Sequence, residues 1–154
     1  MAFALTSVTG AANTGLTTPG YTMTEDQATL AYMRQFIVSA LTGTQTGVRS
    51  HSSTDPFLCW MSRPAAFRDR PTLNVQGQVV GNSKNEFVIG FKKGVLPIAG
   101  GAVPQMTEAI LRVRIPAGAE IADMAQLRAL FSLIGGVFNG QAVGIVDSLL
   151  SGTL

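Results

Sequence analysis

A chain of 154 residues and 16.2 kDa is the size of one domain with room for a terminal arm, and too short for two full domains. Apolar residues at 46% against 13% charged exclude a disordered chain, and a mean hydropathy of +0.29 is high for a soluble monomer. Such a chain either enters a membrane or hides much of its surface against other chains. The single Cys59 excludes an intrachain disulfide framework, and with His51 as the one imidazole it cannot build a zinc site.

The net charge of +2 is unevenly spread. Residues 1–62 carry Arg34 and Arg49 against Glu25, Asp26 and Asp55. Residues 63–114 carry Arg63, Arg68, Arg70, Lys84, Lys92, Lys93, Arg112 and Arg114 against Asp69, Glu86 and Glu108, a local net of +5. Residues 115–154 carry Arg128 against Glu120, Asp123 and Asp147. The middle third is a basic module, suited to a polyanion or simply to solvent.

Residues 1–24, rich in Thr, Gly and Ala, read as a weakly ordered arm or a short edge hairpin, and lack the basic start and apolar run of a signal peptide. Residues 24–41 satisfy two patterns. Thr24 and Gln27 resemble a capping box before Leu30, Met33, Ile37 and Leu41 at helical spacing, while Leu30, Tyr32, Phe36 and Val38 share one side of a strand. Residues 42–56 are polar and end at Asp55-Pro56, a loop. Phe57–Met61 is a short apolar run that reads as a strand.

Three one-sided strands are expected next. In Thr72–Val80, Leu73, Val75 and Val79 alternate with Asn74, Gln76 and Gln78. Gly81-Asn82-Ser83 reads as a turn. In Lys84–Lys93, Phe87, Ile89 and Phe91 oppose Lys84, Glu86, Val88 and Lys92; residues 94–107 form a long loop; in Glu108–Ile115, Ala109, Leu111, Val113 and Ile115 oppose Glu108, Ile110, Arg112 and Arg114. The expected product is an antiparallel meander within residues 57–116. Met124, Leu127, Phe131, Ile134 and Phe138 then step by three and four along a helix that a glycine at 135–136 or 140 ends, and Val143, Val146, Leu149 and Leu150 mark a second. Strands followed by helices over 121–151 predict an α+β fold. Residues 129–146 lack charge and space Gly136, Gly140 and Gly144 by four, but Ser132, Asn139 and Gln141 interrupt them and no basic cluster flanks them. Buried helix packing explains this stretch better than a membrane span.

Catalytic chemistry is not legible. His51 sits among Ser50, Ser52 and Ser53 in the polar loop, Cys59 lies inside an apolar run, and no phosphate-loop, dinucleotide or zinc-protease motif occurs. Trp60 and Phe57 suit core packing better than stacking on a base. No enzyme, cofactor or small-molecule substrate is expected. The polar sides of the meander, in contrast, form a constellation. Paired in order, Asn74, Gln76 and Gln78 would lie beside Lys84, Lys92, Arg112 and Arg114, amides to read splayed bases and cations to neutralise phosphates. A solvated sheet face accounts for the same residues equally well.

The order of elements resembles the coat proteins of single-stranded RNA bacteriophages (levivirus-like). The resemblance rests on Phe67–Leu154, above all "RDRPTLNVQGQVVGNSKNEFVIGFKKG", "EAILRVRIPAGAEIADMAQLRALFSLIGG" and the closing "DSLLSGTL". It is one of arrangement and composition and carries no diagnostic motif; residues 1–66 depart from it. It implies a single coat-protein domain over 1–154, no catalysis and no membrane. It further implies an obligate homodimer whose subunits lay their helices over each other's sheets, with Met124, Leu127, Phe131, Ile134 and Phe138 at the interface. Dimers would assemble in the bacterial cytoplasm into an icosahedral shell, the virion capsid. Its inner sheet face would hold genomic RNA and, in some members, a hairpin that represses translation. The alternative is a non-viral RNA- or DNA-binding module using the same basic face.

Overall fold

The computed structural model describes residues 3–81 and 83–153. Its frame is a six-stranded antiparallel sheet in the order β1 (Ser7–Thr9), β2 (Leu16–Asp26), β3 (Met33–Gln45), β4 (Phe57–Ser62), β7 (Lys84–Val95) and β8 (Gln105–Pro116). A separate two-stranded ribbon, β5 (Thr72–Leu73) and β6 (Val79–Val80), interrupts the chain between β4 and β7. Three helices follow: α1 (Ala119–Ala122), α2 (Met124–Gly140) and α3 (Ala142–Ser151). The α+β class and the order of strands before helices are as the sequence predicts.

The N-terminal segment is a hairpin, not a loose arm. β1 pairs with β2 through Ser7↔Thr22 to Thr9↔Gly20, and Met23 N–H donates to the Thr6 carbonyl at 2.8 Å. The ambiguity over 24–41 resolves as the end of β2 and the start of β3, with Leu30 and Tyr32 in the connection between them and not on the strand. Thr24 lies within β2 and its hydroxyl donates to Ser39 Oγ at 2.9 Å, so it caps no helix. The strand pattern wins because Phe36 and Val38, on one side of β3, are the residues that reach the core. There they join Met23 and Cys59, with Phe3, Leu5, Tyr21, Leu41 and Phe57 around them. Phe3 closes on Phe36 edge-on at 5.5 Å, and Tyr21 on Phe57 likewise at 5.5 Å. Burial pushes the Cys59 thiol up to about 11, so it is an inert core residue.

The expected strand over Thr72–Val80 is a correction. The chain turns back at Asn74: its N–H donates to the Gln78 carbonyl and its carbonyl accepts from Gly77 N–H, both at 2.9 Å. Gly77 at φ +76° makes the tight turn possible. The alternation is real, but the residues bury nothing; Val75 is 97% exposed and Leu73 67%. The meander is therefore β4–β7–β8, and the ribbon touches no strand of the main sheet among the described residues. The turn expected at 81–83 includes Asn82, which lies outside the described residues.

The helix boundaries settle one alternative and add an element. Gly140 ends α2, while Gly135 and Gly136 remain inside it; α1 is an extra turn that starts at Gly118 in the left-handed conformation. Neither α2 nor α3 has a buried residue, and the glycines at 135, 136 and 140 face open space. Buried packing of this stretch is thus not met within one chain. A 17-residue helix is about 25 Å long, the breadth of six strands. α2 starts just beyond β8, and at its far end Asn13, in the β1–β2 turn, donates to the Ala142 carbonyl at 3.3 Å. No single helix among the described residues is long and apolar enough to cross a membrane.

Candidate nucleic-acid interface and assembly surfaces

Register fixes which side chains share a face. β7 and β8 pair as Glu86↔Arg114, Val88↔Arg112, Gly90↔Ile110 and Lys92↔Glu108 on one side. Phe87↔Val113, Ile89↔Leu111 and Phe91↔Ala109 lie on the other. β4 extends both rows, with Leu58↔Lys92 and Trp60↔Gly90 on the polar side and Cys59↔Phe91 on the apolar side. The division of β7 and β8 into a polar and an apolar face is as the alternation predicts.

The sequence puts four cations on the polar face, and the structure brings Lys84, Lys92, Arg112 and Arg114 together there. Three of them are already paired across strands. Lys92 Nζ lies 3.2 Å from Glu108 Oε1; Arg114 Nε donates to Glu86 Oε2 at 2.7 Å, and Arg112 reaches the other Glu86 oxygen at 3.8 Å. The Arg114 hydrogen bond, with the charge of both arginines, holds the Glu86 carboxyl below its ordinary range. Lys84 forms no ion pair among the described residues.

Asn74, Gln76 and Gln78 are not beside these cations. They belong to the ribbon, where they serve its turn: Asn74 Oδ1 accepts from the backbone N–H of Gln76 (3.0 Å) and of Gln78 (2.8 Å), and Asn74 Nδ2 donates to Gln78 Oε1 at 3.1 Å. The amides compete for their own backbone, which is what Asn does in turns.

Trp60 is the residue that sequence reasoning misplaced. It stands on the polar face opposite Gly90, and a Cβ at position 90 would fall inside its ring. The indole lies across the glycine with Lys92 Nζ 5.1 Å from its centroid, a cation–π contact. No sequence signal pairs Trp60 with Gly90, because their contact depends on a register between strands far apart in the chain. His51 has a structural duty: its Nδ1 accepts the Phe57 N–H at 2.9 Å.

Two long surfaces lack a partner among the described residues. β8, twelve residues long, is one edge of the sheet and there pairs only with β7. The stripe on α2 is half open, with Met124 46%, Phe131 40% and Phe138 56% exposed. Phe131, Ile134 and Phe138 face Ile89, Phe91 and Leu111 across a cleft of about 550 Å³. A second, apolar hollow of about 300 Å³ lies over Met23, Val38, Phe57, Cys59 and Phe91. Long edges and open apolar stripes of this size are features of chains that assemble.

Fold and surfaces together define a self-assembling structural subunit. No family model matches the chain, and no curated protein does. Among solved structures it matches a chain described as "Virus-like particle of bacteriophage ESE020", with 38% identity, a TM-score of 0.92 and full coverage of both chains. At that identity over the whole length, the chain belongs to the same family: it is a bacteriophage coat protein, a structural subunit of the capsid. The match includes residues 1–66, which the sequence alone could not attach to the family.

Proposed function

We propose that the chain dimerises, builds an icosahedral shell and packages single-stranded RNA against the polar face of its sheet. The observation that carries this reading is the two-sidedness of the sheet. The apolar side over β7 and β8, and the β8 edge, lack cover that a second copy would supply. Its polar side presents Lys84, Lys92, Arg112 and Arg114, with Lys92 against the Trp60 ring. Cations supply the phosphate contacts, and an indole offers a stacking platform for an unpaired base. The residues Met124, Leu127, Phe131, Ile134 and Phe138 are the contacts proposed between subunits. A second copy would fill the cleft below α2, an interface of the cut-core kind.

Expressed alone, the protein should elute as a large particle containing nucleic acid that ribonuclease degrades once the particle is opened. Replacing Lys92 and Arg112 by Gln should keep the particle and reduce its RNA content. Binding of oligouridylate across a salt series gives the change a magnitude: for each phosphate of a single strand that the protein no longer neutralises, the slope of log affinity against log salt falls by about 0.7. A stable monomer free of nucleic acid would sink the reading.

A further inference from the structure

We infer a second nucleic-acid contact outside the sheet face, on the β4–β5 connection: Arg63, Arg68 and Arg70 with Lys84 hold phosphates of a single strand, and Phe67 stacks on a base. This rests on the RNA-packaging reading and extends its footprint.

On the sheet face Glu86 and Glu108 answer three of the four cations. Along residues 63–70, Arg63, Arg68 and Arg70 are exposed, and none forms an ion pair among the described residues; Asp69 is the one acid of the segment. Net of Asp69, the segment carries +2, as much as Glu86 and Glu108 leave on the sheet face, so uncompensated positive charge lies beside the sheet as well as on it.

The segment is also held in place. β4 stops pairing at Ser62↔Val88, which leaves one side of β7 residues 84–87 without a strand. The connection fills that place: Arg68 N–H donates to Oδ1 of Asn85 at 2.9 Å, and Asn85 is 3% exposed. Such a buried amide fixes backbone position. Phe67 rests near Phe87, ring centroids 6.2 Å apart, yet remains 57% exposed. Arg63 Cζ stands 5.9 Å from the Phe67 centroid, and the Arg70 stem lies over Gly118, where an added Cβ would come within 3.2 Å of Cγ. The segment is thus held at three points: Arg68 through its backbone N–H, Arg70 through its stem, and Arg63 through a guanidinium that lies against Phe67 and donates to the Pro64 carbonyl at 3.2 Å.

Lys84 connects the two regions. It shares the polar-face row with Glu86 and also lines a cleft of about 590 Å³ with Phe67, Arg68 and Asp69. A strand crossing the sheet face would leave it at Lys84 and enter this cleft. Alternating cations with an exposed aromatic ring suit single-stranded nucleic acid, whose phosphates and unstacked bases are both available.

The test uses the purified protein in its native assembly state and a 20-nucleotide oligouridylate, with binding measured across a salt series. The Arg63→Gln/Arg68→Gln variant should lower the salt slope by about 1.4, two phosphates at about 0.7 each, and Arg63→Lys/Arg68→Lys should restore it. Phe67→Leu, which keeps an apolar side chain against Phe87, should weaken binding about five- to hundredfold with an unchanged slope. If the Lys92→Gln/Arg112→Gln variant lowers the slope while the loop variant does not, the inference falls and the sheet-face reading stands. If the wild-type protein binds no oligouridylate, both fall. A loop variant that forms no particles but keeps its slope would assign the arginines to an acidic surface of a neighbouring copy and overturn the inference.

Discussion

The apolar face of the sheet has two halves that solve the same problem differently. Over β2, β3 and β4 the chain covers itself. Phe3 and Leu5 fold onto Phe36, Val38, Met23 and Cys59, and the Arg34 guanidinium makes two 2.7 Å hydrogen bonds to the Glu25 carboxylate at the margin. Phe36 there is 2% exposed. Over β7 and β8 the chain leaves the work unfinished: Phe91 is 52% exposed and α2 stands off behind a cleft. The difference teaches where self-sufficiency ends. The half nearest the N-terminus is closed by its own chain, while the β8 half leaves apolar surface open, the surface proposed above to meet a second copy.

Removing residues 121–154 is the strongest way to break this contrast, and it should abolish soluble dimer while the β2–β4 half retains its strand signal by circular dichroism. A soluble dimer of the truncated chain would show that the helices are dispensable to association. A finer version compares two phenylalanines. Phe36→Ala should cost about 3–5 kcal/mol by leaving a cavity in a closed core, equally at any protein concentration. If a second copy buries Phe131 as proposed, Phe131→Ala should cost less in a dilute sample and more in a concentrated one. Urea unfolding at two concentrations a hundredfold apart separates them. Concentration-independent destabilisation by both would mean that α2 belongs to the subunit's own core.

How much of this is legible in the residues follows the same division. Alternation places Phe87, Ile89, Phe91, Leu111 and Val113 opposite Lys92, Arg112 and Arg114, since period two in a strand has one geometric meaning. The helix stripe from Met124 to Phe138 is equally plain. Alternation fails at Thr72–Val80 because it reports which residues could share a face, not whether a face exists. Asn74 and Gly77 are the available turn signal, and the regular pattern of Leu73, Val75 and Val79 hides it. Over 24–41 two periodicities overlap, and only the partner strands decide between them. Trp60 reads as core because large aromatics usually are, while its seat on Gly90 is a tertiary fact. The ion pairs of Glu86 and Glu108 are within reach, since both acids are visible on the basic face, but their partners depend on register.

The smallest effect tests the joint between the two halves. Loop residues 49–55 are clasped to β7. Asp55 is 6% exposed; its carboxylate accepts hydrogen bonds from Arg49 and, at 2.9 Å, from Lys93 Nζ, while Arg49 also donates to the Gly94 carbonyl at 3.0 Å. Burial alone would raise the Asp55 pKa, but the hydrogen bonds and charges of Arg49 and Lys93 outweigh it and hold the carboxyl below the ordinary range. A folded-state pKa below the unfolded one means stability that is full above the unfolded value, near 4, and is lost as pH falls through the folded value. Asp55→Asn should therefore destabilise the protein by about 1–2 kcal/mol at pH 7, a charged hydrogen bond discounted for the partial exposure of Arg49. Glu25 and Glu86 are also held low by arginines, so the wild-type curve alone cannot report on Asp55. The difference between wild type and Asp55→Asn isolates it, because the other carboxylates titrate alike in both. That difference should shrink as pH drops from about 5 towards about 2. A gap that stays constant across the range would mean that the clasp holds by shape and not by charge.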